Sequence, residues 1–221
     1  MVAGHQAQGA TKRTALAKPR ALEHVHIRVD VRYLKLSLLV LAGALLIGSI
    51  FLPYWNIVLN APQYPRGLSV DVFVSKMEPA KNVREVDGLN HYIGMIKLTD
   101  AATLERAISR FAIPVLALLA VASFWLRGRW RIIARLPIVV YPLVFAVDLF
   151  AWLYYAGHSL DPTAALSSSI DEFTPRLLGE GKIGQFSTVA SFERGFYVAV
   201  IAAAIVLVVT ILDQRRGHAK G

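Results

Sequence analysis

The chain has 221 residues, 55% of them hydrophobic and 18% charged, with a mean hydropathy of +0.48. A soluble domain carries roughly a quarter charged residues, so this composition points to an integral membrane protein. The net charge of +9 is unevenly spread and argues against nucleic acid, and the absence of cysteine excludes disulfides, thiolate metal sites, iron–sulfur clusters and c-type haem.

Residues 1–35 form a basic tail, whose first 20 positions are rich in Gly, Ala, Gln, Lys and Arg and are expected to be disordered. Val25, Ile27, Val29 and Val31 then alternate with His26, Arg28, Asp30 and Arg32. This period-two pattern runs directly into an apolar stretch, so a short strand and a helical extension both stay open. Residues 36–55 carry no charge, and 20 residues at about 1.5 Å each cross roughly 30 Å of hydrocarbon. The stretch is too long for a signal-peptide core and reads as an uncleaved signal anchor, with Tyr54 and Trp55 at the interface.

Residues 56–110 form the larger outer segment, which follows Pro53 and is punctuated by Pro62 and Pro65. Leu68, Val70, Val72 and Val74 alternate with Ser69, Asp71, Phe73 and Ser75, which predicts a short half-buried strand. Gly88 and residues 90–95 read as a turn-rich segment. Thr99 or Asp100 is placed to cap a helix starting near Ala101, which continues amphipathically into a second span at 111–126, kinked at Pro114. A tight basic loop at 127–135 leads to a third span at 136–156, which contains Asp148. Residues 157–195 form a second outer loop rich in Gly, Pro and Ser, without a clear period. A fourth span at 196–212 ends in a basic tail at 213–221.

The predicted fold class is therefore an all-α membrane protein with four transmembrane helices and two extracytoplasmic loop segments, the first with a short strand. The tails and the 127–135 loop carry 14 Lys and Arg against three acids, whereas the two outer segments carry 10 against 11. Basic residues near span ends mark the cytoplasmic side, so both termini are placed inside a bacterial inner membrane. The basic excess is a topology signal first and an attraction for anionic lipid second.

The chain has no G-x-S-x-G, P-loop or H-E-x-x-H motif and no paired histidines for haem b, so the reading is non-enzymatic. Its only methionines beyond the initiator, Met77 and Met95, both lie in the first outer segment, and His91 stands four residues before Met95. His158 opens the second outer loop. Thioethers and imidazole bind soft, reduced copper, so the expectation is a Cu(I) site with His91 and Met95 as primary ligands and Met77 and His158 auxiliary. On a helix His91 and Met95 would share a face. Asp161 is an alternative donor. Against this, Met95 packing in a core, His91 bonded to a carbonyl, His158 as an interfacial polar group and Asp161–Pro162 as a turn account for the same residues. Asp148 is a carboxylate inside a span, which defaults to a functional or assembly role. Tyr141, Tyr154, Tyr197 and Ser123 are its candidate hydrogen-bond partners within the chain.

The strings APQYPRGL, VDGLNHYIGM, WLYYAGHSLDP and FTPRLLGEGKIGQF resemble a family of small bacterial membrane proteins associated with gene clusters for respiratory copper enzymes, chiefly nitrous oxide reductase maturation. The resemblance implies an accessory role in copper delivery or in supporting a periplasmic copper oxidoreductase. It singles out Asn90, His91, Tyr92, Gly94 and Met95 in the first segment, and Gly157, His158, Leu160, Asp161 and Pro162 in the second. Family members carry an acidic Tyr–Asp ahead of the Gly–His pair. Here the chain reads Tyr154–Tyr155–Ala156, so a ligand role for that acid does not transfer.

Two functions follow as expectations. One is an inner-membrane accessory that binds or delivers copper on the periplasmic side, with a copper enzyme or its assembly factors as partner. The other is a non-catalytic structural subunit of a larger membrane complex, with the outer loops as docking surfaces. A small transporter has less behind it, because one intramembrane acid makes a poor pathway.

Overall fold

The computed structural model describes residues 31–166, 169–183 and 186–218. The alternating pattern of residues 25–33 falls mostly outside these, and its last three positions are helical. Helix α1 (Val31–Ser49) buries Lys35, Leu39, Ala42, Leu46 and Ser49, a spacing of three and four that lays one stripe against the bundle. It packs on α3 (Thr103–Ala122) and α5 (Arg194–His218), and α4 (Arg129–His158) closes the bundle against α5 and α3. The core is built from Leu39, Leu46, Ile113, Ile138, Val206 and Val209 with Ala42, Ala117, Ala120 and Ala202 between them. Small residues at these contacts let the helix backbones approach closely.

Three helices, α1, α4 and α5, are long and apolar enough to cross a membrane, which corrects the expected four spans. Helix α3 falls short because Glu105, Arg106 and Arg110 lie in its first half. Its apolar remainder, 111–122, covers only about 18 Å at about 1.5 Å per residue, well short of the hydrocarbon thickness. The expected span to 126 is cut at Ala122, where the chain turns.

The fold is not all-α either. The two segments expected to lie outside the membrane build a five-stranded antiparallel sheet in the order β3-β2-β1-β5-β4. The first segment supplies β1 (Trp55–Ala61), β2 (Tyr64–Val72) and β3 (Met77–Glu78), and the second supplies β4 (Gly179–Ile183) and β5 (Phe186–Phe192). Strand β1 sits at the centre, with Trp55 opposite Val72 on one side and Phe192 on the other. Pro53 ends the first helix before the expected boundary at 55, since it cannot continue the hydrogen-bond ladder, and Trp55 opens a strand instead. The β4–β5 hairpin replaces the expected structureless loop. Its alternation uses Phe186, Thr188 and Ala190 inward against Ser187, Val189 and Ser191 outward, a pattern too weakly apolar to read.

Helix α2 (Ala80–Ile93) occupies the stretch expected to be turn-rich and buries Val83, Val86, Asp87, Asn90 and Ile93 against the sheet. Helix α4 begins at Arg129, so most of the expected basic loop is helical. Sheet and bundle are joined at Pro53 and Tyr54. Tyr54 N donates to Val72 O at 2.8 Å, Glu193 N to Tyr54 O at 2.9 Å and Gly195 N to Pro53 O at 2.8 Å. The Tyr54 ring is fully buried rather than interfacial, 4.8 Å from the Phe145 ring, and its hydroxyl shares a hydrogen bond with Ser49 Oγ at 2.7 Å. Burial pushes this phenol above its ordinary pKa.

Candidate functional site

The C-terminal end of α2 and the start of the segment that follows α4 meet and form the candidate site at the sheet end of the bundle. Gly94 caps α2 in the left-handed conformation at φ 76°, and Met95 N donates back to Asn90 O at 2.9 Å, the wrap that glycine at this position permits. The helix's buried polar residues hold the exit. Asp87 accepts from Leu98 N at 2.6 Å and from Thr99 Oγ1 at 2.9 Å, while Asn90 Nδ2 donates to Ile96 O at 3.1 Å.

The second segment approaches along the backbone. Asp161 N donates to Gly94 O at 2.8 Å and Leu166 N to Tyr92 O at 2.9 Å. A side chain at Gly94 would place its Cβ 2.5 Å from Asp161 O, and one at Gly157 would sit 1.7 Å from Phe173 O. Trp55 Nε1 closes the junction by donating to Leu177 O at 2.7 Å. Asp161 Oδ1 accepts from Thr163 N at 2.8 Å and from Thr163 Oγ1 at 2.7 Å, an Asx turn that holds its carboxyl below the usual range, with a smaller attraction from His91.

The structure thus brings the two motif segments together but sends their soft donors elsewhere. Helix α2 stops at Ile93, so Met95 lies beyond the cap and does not share a helical face with His91. Met95 lines a small apolar cavity of about 80 Å³ with Trp55, Ile57, Leu68, Val86 and Phe186. Met77 packs from β3 onto Leu68, Val70, Val83 and Val86. His91 and Tyr92 face outward, Tyr92 with 57% of its surface exposed. His158, at the end of α4, stacks on Tyr154 with ring centroids 4.0 Å apart and donates from Nδ1 to Tyr154 O at 2.9 Å. Among the described residues no three His, Cys, Asp or Glu side chains converge as metal ligands.

No family model, curated protein or solved structure matches this chain. Side-chain chemistry has to carry the functional reading, and two further places in the bundle bear on it.

Asp148 lies on α4, is half-buried, and is near enough to α3 for the Glu105 carboxylate to act on it. Two hydroxyls expected to reach it are used elsewhere: Tyr141 Oη donates to Tyr54 Oη at 3.3 Å, and Ser123 Oγ donates to Ala120 O and accepts from Arg135. Among the described residues Asp148 has neither a hydrogen bond nor an ion pair, and the charge that acts on it is another carboxylate, Glu105 of α3.

At the end of the bundle remote from the sheet, the sequence reading missed an ionic cluster. Asp213 accepts Arg135 Nη1 at 2.9 Å and Arg131 Nη1 at 3.1 Å, and Lys35 Nζ pairs with its other oxygen. Arg135 is only 2% exposed, and its Nε donates to Ser123 Oγ at 2.9 Å. The available signal was a lone acid at the end of the last apolar stretch, surrounded by bases that start the others.

Proposed function

We propose that the chain is a non-catalytic subunit of a larger membrane complex, docked to a partner's membrane helix along the α3–α4 edge. Asp148 carries this reading. A carboxylate within a span costs several kcal/mol unless it is paired, hydrogen-bonded or protonated. Here the neighbouring Glu105 adds like charge instead of relief. A partner helix offering a lysine, an arginine or a hydrogen-bond donor would satisfy both acids. The outer face supports the same role: the motif backbones are consumed in joining the two segments, and Tyr92 and His91 stand outward on a braced surface, Tyr92 being of a type enriched in protein interfaces. The excess of basic residues in the tails and the 127–135 loop supports a periplasmic position for the sheet in a bacterial inner membrane.

The test uses the full chain, tagged and gently extracted from its native membrane. A second polypeptide should co-purify with the parent chain and be lost in Asp148→Leu, while the isolated variant unfolds no earlier than the parent. Retention of the same partner by Asp148→Leu, or purification of the parent chain alone, would refute the docking edge.

Copper binding at the outer face is a second reading. It draws on His91 and Asp161, which approach from the two segments, and on Met77, packed against the cluster that contains Leu68 and Val86, and Met95, in a cavity lined in part by the same two residues. It requires Met95 to leave its apolar layer. Anaerobic titration with Cu(I) should then show saturable binding weakened by His91→Ala and Met95→Ala, and identical curves for all three proteins end it.

A further inference from the structure

The ionic cluster opens into a cavity of about 380 Å³ lined by Arg32, Lys35, Arg127, Arg131 and Arg135 against a single acid, Asp213. Its remaining wall is Phe124, Trp125 and Leu126. Among the described residues, five cations against one carboxylate leave a strong positive excess in a partly enclosed space. The one acid is already shared: Lys35, Arg131 and Arg135 all contact Asp213. The cations are held in place before any ligand arrives. Arg135 is pinned by Ser123, Arg131 Nε donates to Leu126 O at 3.0 Å, and the Arg32 guanidinium lies 5.6 Å from the centroid of the Phe124 ring. Guanidinium forks arranged this way match the oxygens of a phosphate group.

The position narrows the source of that phosphate. Lys35 is in the first turns of α1, Arg131 and Arg135 in the first turns of α4, and Asp213 near the end of α5, so the cavity lies where three candidate spans end. Trp125 is 65% exposed beside it, an amphipathic ring suited to the headgroup level. We propose that this cavity binds the phosphate of an anionic phospholipid, with the acyl chains running down the apolar outside of the bundle. Basic pockets between membrane helices take lipid headgroups through this chemistry. A soluble phosphate would engage the same guanidinium groups but gain nothing from the Trp125 wall.

Native mass spectrometry on the full chain in neutral detergent tests the assignment, with phosphatidylglycerol, phosphatidylcholine and inorganic phosphate titrated separately. Phosphatidylglycerol should form a saturable single adduct at least about tenfold (about 1.4 kcal/mol) tighter than phosphatidylcholine, whose phosphate is the same but whose quaternary ammonium brings a sixth cation to the cavity. Arg127→Gln with Arg131→Gln should remove most of that preference. Arg127→Gln alone alters a residue exposed at the rim, so it should reduce the preference without unfolding the chain. Equal affinity for the two lipids, or a preference unmoved in both variants, would overturn the proposal. Inorganic phosphate binding as tightly as the lipid would overturn the lipid assignment.

Discussion

Replacing Gly94 with alanine should separate the two outer segments. The residue sits at φ 76°, where a Cβ costs about 1 kcal/mol relative to glycine. The new Cβ would also lie 2.5 Å from Asp161 O and 2.8 Å from Asp161 N, both main-chain atoms that cannot rotate aside. The second segment must move, which breaks the Asp161 N to Gly94 O bond and strains the Leu166 N to Tyr92 O bond. A net loss of about 1 kcal/mol for each bond brings the total to about 2–4 kcal/mol. Urea unfolding followed by tryptophan fluorescence reads the change, because Trp55 is buried where the segments join. Limited proteolysis should also cut residues 157–166 faster than in the parent. A variant within about 0.5 kcal/mol of the parent, with unchanged proteolysis, would refute the reasoning, since surface substitutions without such contacts fall in that range.

Gly88 is the opposite case. It lies within α2 with open space where a Cβ would go, so Gly88→Ala should stabilise the outer domain by about 0.5–1 kcal/mol in the same assay. Asp213→Ala leaves Arg135 buried among like charges, and a loss of about 3–5 kcal/mol should appear as earlier melting of the helix bundle by circular dichroism. Tyr64 donates to Glu85 Oε2 at 2.7 Å, and this bond, with smaller help from burial, raises the phenol's pKa. Its contribution is therefore complete below the unfolded value near 10 and fades as pH rises through the folded one. A difference titration against Tyr64→Phe should show that phenolate forming late, and Glu85→Gln should bring it earlier.

Helices α1, α4 and α5 were legible because a membrane core demands long uncharged runs, and periodicity added little to that signal. The half-charged α3 misled for the same reason: its apolar tail looked like a span until the helix boundary at Ala122 showed how short it is. The sheet was only partly visible. Leu68 and Val70 announced β2, but the central strand β1 lies almost wholly past the expected span, in a stretch between Pro53 and Pro62 read only as an extended connection, and β5 hides its buried face behind Thr188 and Ala190. Helix α2 carried a readable stripe in Val83, Val86 and Ile93, and Gly88 with Asn90 obscured it. The two motif segments do meet, through Asp161 N to Gly94 O and Leu166 N to Tyr92 O. Gly94 and Gly157 serve close approach, and the role of Met95 as a packing group depends on a helix end that local spacing did not reveal. The ionic cluster left only a faint trace, Asp213 as the lone acid closing the last apolar stretch, because it joins residues from three helices far apart in the chain.

On the proposed function, Asp148 awaits a neighbouring helix. The most direct measurement is the mass of the particle released from native membranes with its surrounding lipid, using polymer extraction and no detergent exchange. A particle holding this 24.3 kDa chain together with a different membrane polypeptide, cross-linked through positions beside Asp148, is the predicted result. A particle whose only protein is this chain, with no cross-link from the α3–α4 edge, would contradict it.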